Sequence, residues 1–236
     1  WDGLILFGCL PWMLLFLARA SRSSPFGPIG GPTSRFAFEA DIFREVLTLG
    51  FILGLVFSFS PLVLFAVTLT VVCLCVGSLV AGWKLGFSRL FLILILSYAM
   101  AAALNFPWIL DYFFSDFSWN TIFHTRSTVA ETVDLLGALR LQTELGQNSV
   151  FGWGFPALAF VPLMLARGER WAWAVRGCSL YLAGVAAIWV NGMGYLPFVL
   201  PRAEVLLVPA ALGVAVASAM GVGSLQRDLQ TYKFGW

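Results

Sequence analysis

The sequence predicts an all-α integral membrane fold with about seven transmembrane helices. Three observations carry the prediction: 60% of the 236 residues are hydrophobic, only 11% are charged, and the mean hydropathy is +0.88. A soluble domain is roughly 45–50% apolar and about 25% charged, and a soluble fold of this size has no interior able to hide the surplus. These figures exclude a soluble enzyme, a disordered region and a nucleic-acid-binding protein. The net charge of +2 gives no global field for a polyanionic partner.

A crossing helix needs about 20 mostly apolar residues. The candidate spans are 2–18, 44–59, 61–83, 89–110, 150–166, 173–191 and 204–224. Between Glu45 and Lys84 lie 38 uncharged residues, too many for one crossing, and Ser58-Phe59-Ser60-Pro61 interrupts them. Proline disfavours helical geometry in the residue before it, so a tight turn near Ser60 divides the stretch.

Basic residues collect on the cytoplasmic side of a membrane protein, which tests the division. Seven spans place Arg19, Arg22, Arg35, Arg44, Lys84, Arg89, Arg167, Arg170, Arg176, Arg227 and Lys233 on one side, and Arg126, Arg140 and Arg202 on the other. The division is 11 against 3, whereas a single span over 44–83 gives 7 against 7. The expected protein is therefore multi-pass in the plasma (cytoplasmic) membrane, N-terminus outside and C-terminus inside. Residues 1–236 read as a single polytopic membrane domain. The chain starts inside an apolar run and stops just past a helix exit, as expected of a segment of a longer polypeptide.

Trp83, Trp171 and Trp173 fall at inner boundaries and Trp108, Trp153 and Trp189 at outer ones, the level that an amphipathic indole prefers. Small residues four apart occur at Gly50/Gly54, Ala99/Ala103 and Gly213/Ala217/Gly221, and are read as bundle packing. Cys9, Cys73, Cys75 and Cys178 fall in or at the ends of apolar runs. Residues two apart on a helix diverge by about 200°, so Cys73 and Cys75 do not share a metal; no metal site and no disulfide are expected.

On this layout every charge lies in a loop or at a helix end. Proton relays, voltage sensors and most ion-coupled transporters need an ionisable group inside the membrane, so the pattern argues against them. Asn105 and Asn191 are the strongest polar groups near membrane depth, each close to an outer end and suited to bonding a neighbouring helix.

Polar capacity concentrates in the outer loop 111–149, which holds Asp111, Asp116, His124, Arg126, Glu131, Asp134, Arg140 and Glu144. Thr128-Val129-Ala130-Glu131 reads as a capping box opening an amphipathic interfacial helix near 129–145 that stops at Gly146. Asp111 and Asp116 are the candidate catalytic carboxylates, as a general base or as holders of a divalent metal bound to a phosphate. His124 and Arg126 suit an anionic headgroup, and with Trp108 and Asn105 they make the candidate substrate-binding set. The competing reading is a solvated loop whose charges keep it out of lipid. The inner loop 19–43, rich in Gly and Pro, lacks the Gly-Lys-Ser/Thr ending of a phosphate loop. Its Phe36 to Arg44 stretch suits a short interfacial helix.

Several landmarks stand in a recognisable order: Arg-Glu-Val-Leu-Thr-Leu-Gly, a hairpin with Phe-Ser-Pro, Leu104-Asn105-Phe106-Pro107-Trp108, an outer Asp-Leu-Leu helix, Arg-Gly-Glu-Arg-Trp at 167–171, Ala203 to Ala211, and Tyr232 to Trp236. This arrangement resembles the membrane region attached to family 2 glycosyltransferase domains in actinobacterial cell-envelope proteins, over nearly the whole chain. The resemblance implies a part in building or exporting an envelope polysaccharide or glycolipid, with a polyprenyl-phosphate-linked sugar as substrate. The nucleotide-sugar site of such proteins lies in a separate cytoplasmic domain, so no catalytic residue of that kind is carried over, and no cofactor is implied for this segment. Expected partners are the bilayer, the lipid-linked sugar, and the rest of a longer polypeptide or an envelope-assembly complex, with no nucleic acid. The alternative is a non-catalytic flippase or scaffold for the same substrates.

Overall fold

Long apolar runs without a breaker form helices because lipid leaves the backbone no hydrogen-bond partner but itself. The computed structural model describes residues 2–21, 35–82, 87–106, 108–110, 134–142, 150–193 and 203–231, the side chains of 35–40, 150 and 227–231 excepted. All regular structure among these residues is helical. The helices are α1 (Asp2–Ala20), α2 (Arg35–Phe59), α3 (Val63–Val80), α4 (Phe87–Leu104), α5 (Leu135–Leu139), α6 (Gly154–Leu165), α7 (Glu169–Met193) and α8 (Ala203–Thr231). A single 3-10 turn, Val150–Trp153, precedes α6.

Six of these, α1 to α4 with α7 and α8, are long and apolar enough to cross a membrane. The chain is accordingly a multi-pass membrane protein. The expected fifth span, 150–166, is a shorter apolar helix over Phe151–Leu165. At 1.5 Å per residue it covers about 22 Å of a hydrocarbon core about 30 Å thick.

The breaks fall where local chemistry demands them. Ser60 N–H still bonds Val56 O at 2.8 Å, and Val63 N–H bonds Ser60 O at 3.2 Å, so the turn before Pro61 divides the uncharged stretch as expected. Gly82 after α3 and Gly168 before α7 have φ of +64° and +61°, a conformation that strains any residue with a Cβ. The stretch Phe36 to Arg44, expected as a separate interfacial helix, is continuous with α2. It contains no glycine or proline to interrupt the helix.

The chain divides into two compact units: one of Trp1–Val71 with Leu85–Arg126, the other of Val72–Lys84 with Ser127–Trp236. In the first, α1 packs on α2 and α4. A Cβ on Gly50 would come within 2.9 Å of Met100 Sδ, and one on Gly54 within 3.4 Å of the Ala101 backbone. The small residues of α2 thus let α4 lie close. Glu45, in the first half of α2, bonds Arg89 near the start of α4, and Ser58 at the end of α2 bonds Asn105 just past the end of α4, so α2 and α4 run the same way. In the second unit, α7 and α8 are antiparallel and share the tightest seam. A Cβ on Gly213 would lie 2.5 Å from Gly177 O and 2.6 Å from Tyr181 N; one on Gly177 would lie 2.9 Å from Ala217 N. Gly184 faces Ala210, and Gly221 faces Pro162 of α6. The small-residue series expected to serve bundle packing does so at Gly50, Gly54, Gly213, Ala217 and Gly221.

Large apolar side chains remain on outward faces, among them Phe7, Phe51, Leu79, Ile95, Phe151 and Met164. In water such faces would be a liability; in lipid they are the solvent-facing surface.

Candidate functional site

Within the first unit, the polar groups are committed to joining helices. Asn105 is buried, and its Nδ2 donates to Gly54 O at 2.9 Å and to Ala101 O at 2.8 Å. Its Oδ1 accepts from Ser58 Oγ at 2.7 Å. Both amide hydrogens are used, and the clasp fixes the ends of α2 and α4 together. Trp108, three residues on, is 71% exposed. At the other end of this helix pair, Arg89 Nη2 bonds Glu45 Oε2 at 3.0 Å. Tyr98 and Thr68 share a 2.7 Å contact that joins α4 to the start of α3. Asp111, Asp116, His124 and Arg126 lie outside the described residues, as do Thr128 and Glu131.

The second unit holds the more unusual arrangement. Tyr181 is the central residue of the 25-residue α7. Its hydroxyl donates to Leu139 O at 2.5 Å, and its ring meets Phe160 edge-on at 6.2 Å. Leu139 closes α5, and the last carbonyls of any helix lack intrahelical donors; Tyr181 supplies one. α5 therefore packs level with the middle of α7.

Local geometry shows how α5 stops there. Leu141 N–H bonds Ala138 O and Gln142 N–H bonds Gly137 O, both at 3.0 Å, with Leu141 at φ +55°. This is a Schellman ending, in which glycine normally holds the left-handed position. A leucine there is strained by roughly 1–2 kcal/mol. The expected helix to Leu145 with Gly146 as its stop is thus cut short among the described residues. Arg140 follows the break and its guanidinium lies 4.6 Å above the Trp153 ring centroid. Gly152 makes room for it, since a Cβ there would lie 2.9 Å from Arg140 Cβ. Tertiary contacts with α7 and the Val150–Trp153 turn thus hold the early ending.

Nearer the start of α7, Arg176 is 1% exposed. Its Nε donates to Ser78 Oγ of α3 at 2.7 Å, and its guanidinium stacks 4.6 Å from the Trp173 ring centroid. Ser179 Oγ bonds Cys73 O at 2.9 Å, while a Cβ on Gly77 would meet Arg176 Cα at 2.8 Å, so α3 and α7 are in close contact here. Arg176 Nη2 is buried with no hydrogen-bond partner. A cation at the centre of a membrane helix costs about 2.5–3.5 kcal/mol on the insertion scale, an upper bound for Arg176 in the early part of α7. A desolvated cation–π contact recovers about 2 kcal/mol and the hydroxyl bond a further fraction.

The sequence layout had put Arg176 at a helix boundary because apolarity alone started the span at 173. The helix begins at Glu169, an acid that the N-terminal dipole favours, and this moves Arg176 into the third turn. One signal pointed there: Arg176 is the only charge from 171 to 201. For α5 the corresponding signal was Leu135-Leu136-Gly137-Ala138-Leu139, five residues with no polar face. Among the described residues no group of three or more His, Cys, Asp or Glu side chains is placed to hold a metal, and all four cysteines are free thiols. Comparison with protein-family models, with curated proteins and with solved structures finds no match to the chain.

Proposed function

We propose that the chain is the membrane domain of a glycosyltransferase-type protein that handles lipid-linked sugar in the assembly of an envelope polysaccharide or glycolipid. The observation that supports this reading is the break after α5, which brings Arg140, Trp153 and Tyr181 together level with the middle of α7. Interrupted helices at membrane depth are tolerated where protein covers the backbone or a cavity is lined, and in transporters they mark substrate sites. A guanidinium held on an indole face suits the phosphate of a polyprenyl-phosphate-linked sugar, and the apolar faces around it suit the lipid chain. The sequence resemblance points to the same substrate class.

In this reading the protein crosses the plasma membrane seven times, N-terminus outside. The short α6 counts as a crossing, with α5 and the Val150–Trp153 turn completing its depth. The distribution of basic residues supports this. With Arg176 and Arg140 left out, since both lie along α7, seven spans place Arg19, Arg22, Arg35, Arg44, Lys84, Arg89, Arg167, Arg170, Arg227 and Lys233 against Arg126 and Arg202, 10 against 2, whereas without a crossing at 150–166 the division falls to 7 against 5. Asp111 or Asp116 would act as the general base if the segment is itself catalytic, with His124, Arg126 and Trp108 beside the substrate and Asn105 kept in the helix clasp, and a divalent metal is compatible with that variant.

A non-catalytic flippase is the second reading. It is favoured by one observation: two arginines lie at different levels along α7, Arg140, which follows the Leu139 bonded by Tyr181, and Arg176 of α7 itself, further toward Glu169. Binding of a polyprenyl-phosphate-linked sugar to the full chain in phosphatidylcholine nanodiscs tests the shared premise. Saturable binding that Arg140→Gln weakens by about tenfold or more is expected. Binding no greater than to empty nanodiscs would dismiss both readings.

A further inference from the structure

We infer that Arg176 is the centre of a second anion site, one that takes a phosphate monoester, at the end of the bundle where α3 stops and α7 starts. The inference goes beyond the reading of the Arg140 cluster and does not depend on it. Arg176 is a buried cation, and among the described residues no carboxylate forms an ion pair with it. The first turn of α7 holds Glu169, almost two turns away, and the described end of α3 holds none. A buried cation so placed calls for an anion from outside the chain.

Geometry makes the same point. The guanidinium is a planar fork of donors matched to phosphate oxygens. Its Nε is fixed on Ser78 Oγ at 2.7 Å, its face is fixed on Trp173, and Gly77 lets the two helices close on its aliphatic stem. These contacts orient the fork and leave Nη2 without a partner in the interior. Buried donors in native proteins are almost always satisfied, so an oriented, unsatisfied donor on a cation marks where a ligand atom belongs. Nη2 has no exposed surface, so the anion enters by parting the side chains that cover it.

Depth narrows the ligand class. Arg176 lies seven residues after the start of α7 and Ser78 two before the end of α3, so the site is about 10 Å along α7 and only about 3 Å inside the end of α3. A phosphate monoester reaches that level as a lipid headgroup drawn between helices or as a free ion. Arg170, whose Nη1 donates to Gly223 O at 2.8 Å, and exposed Arg167 lie at the same end and would attract either.

The test uses the full chain in phosphatidylcholine nanodiscs, with inorganic phosphate added in one arm and phosphatidic acid incorporated in another. Anion retention by native mass spectrometry and the unfolding midpoint are read in both. One retained anion and a raised midpoint are expected, in the lipid arm alone if the source is a headgroup and in both if a free ion suffices. Arg176→Gln should weaken retention about tenfold or more, whereas Arg44→Gln, which removes an exposed charge on α2, should leave it unchanged. Should Arg176→Gln not fold, Ser78→Ala and Arg176→Lys take its place, and each should bind several-fold more weakly. Retention in neither arm by the unaltered chain, or affinity unchanged in the folded Arg176 and Ser78 variants, would overturn the site. The probes carry no sugar and no polyprenyl chain, so this outcome is separate from that of the lipid-linked sugar experiment.

Discussion

The hydroxyl of Tyr181 donates to the carbonyl of Leu139 at 2.5 Å, joining the centre of the 25-residue α7 to the end of a five-residue helix. One bond thus satisfies a helix-terminal carbonyl, fixes where α5 stops, and brings Arg140 onto Trp153.

Removing that hydroxyl tests its weight. Tyr181→Phe keeps the ring against Phe160 but leaves Leu139 O without its donor. An unsatisfied buried carbonyl costs about 1–3 kcal/mol. The unfolding midpoint should fall modestly, and amide exchange over 135–142 should speed up while exchange in α8 stays unchanged. Uniform exchange throughout the unit would count against a local latch.

The α7–α8 seam makes a sharper prediction. Gly213→Val and Gly177→Val place carbon atoms within 3 Å of the partner backbone, and backbone cannot yield as a side-chain tip does. Both variants should lose most of the folded protein in detergent. Gly223→Ala, with nothing within 4 Å of its added Cβ, should be neutral or stabilising by up to about 1 kcal/mol. Equal behaviour of all three would dismiss the seam.

Asn105 makes a quantitative prediction about polar clasps in lipid. Asn105→Leu removes the bonds to Gly54 O, Ala101 O and Ser58 Oγ together. Interhelical hydrogen bonds in membrane proteins average about 0.6 kcal/mol and reach about 1.7. A loss of about 1–2 kcal/mol in an unfolding titration is expected, with Ser58→Ala giving the smaller part.

These cases show what could be read from the sequence. The turn at Ser60-Pro61 follows from proline's effect on its neighbour, and the seams follow from small residues repeating every four, both local in the chain. The depth of α5 does not, because Leu135 to Leu139 are equally suited to an interface and to an interior; only Tyr181, 42 residues away, decides. Arg176 escaped for a related reason. An apolarity window begins a span at its first apolar residue, whereas the helix took in the polar turn from Glu169 and carried the arginine inward with it.

The seven-span topology is tested by labelling. Arg22→Cys and Arg167→Cys, each in a chain with Cys9, Cys73, Cys75 and Cys178 replaced, should react with a membrane-impermeant maleimide from the same side. Reaction from opposite sides would mean that 150–166 does not cross, and would remove the charge argument.

The most direct measurement places p-benzoylphenylalanine at Tyr181 in the full chain, in nanodiscs, and maps its photo-crosslinks by mass spectrometry. The benzoyl group occupies the position from which the hydroxyl reaches Leu139. Crosslinks concentrated within Leu135 to Gln142 are the predicted result, since α5 ends level with the middle of α7. Crosslinks only to α6, α8 or lipid, with none in that segment, would contradict the broken helix on which the proposed substrate site rests.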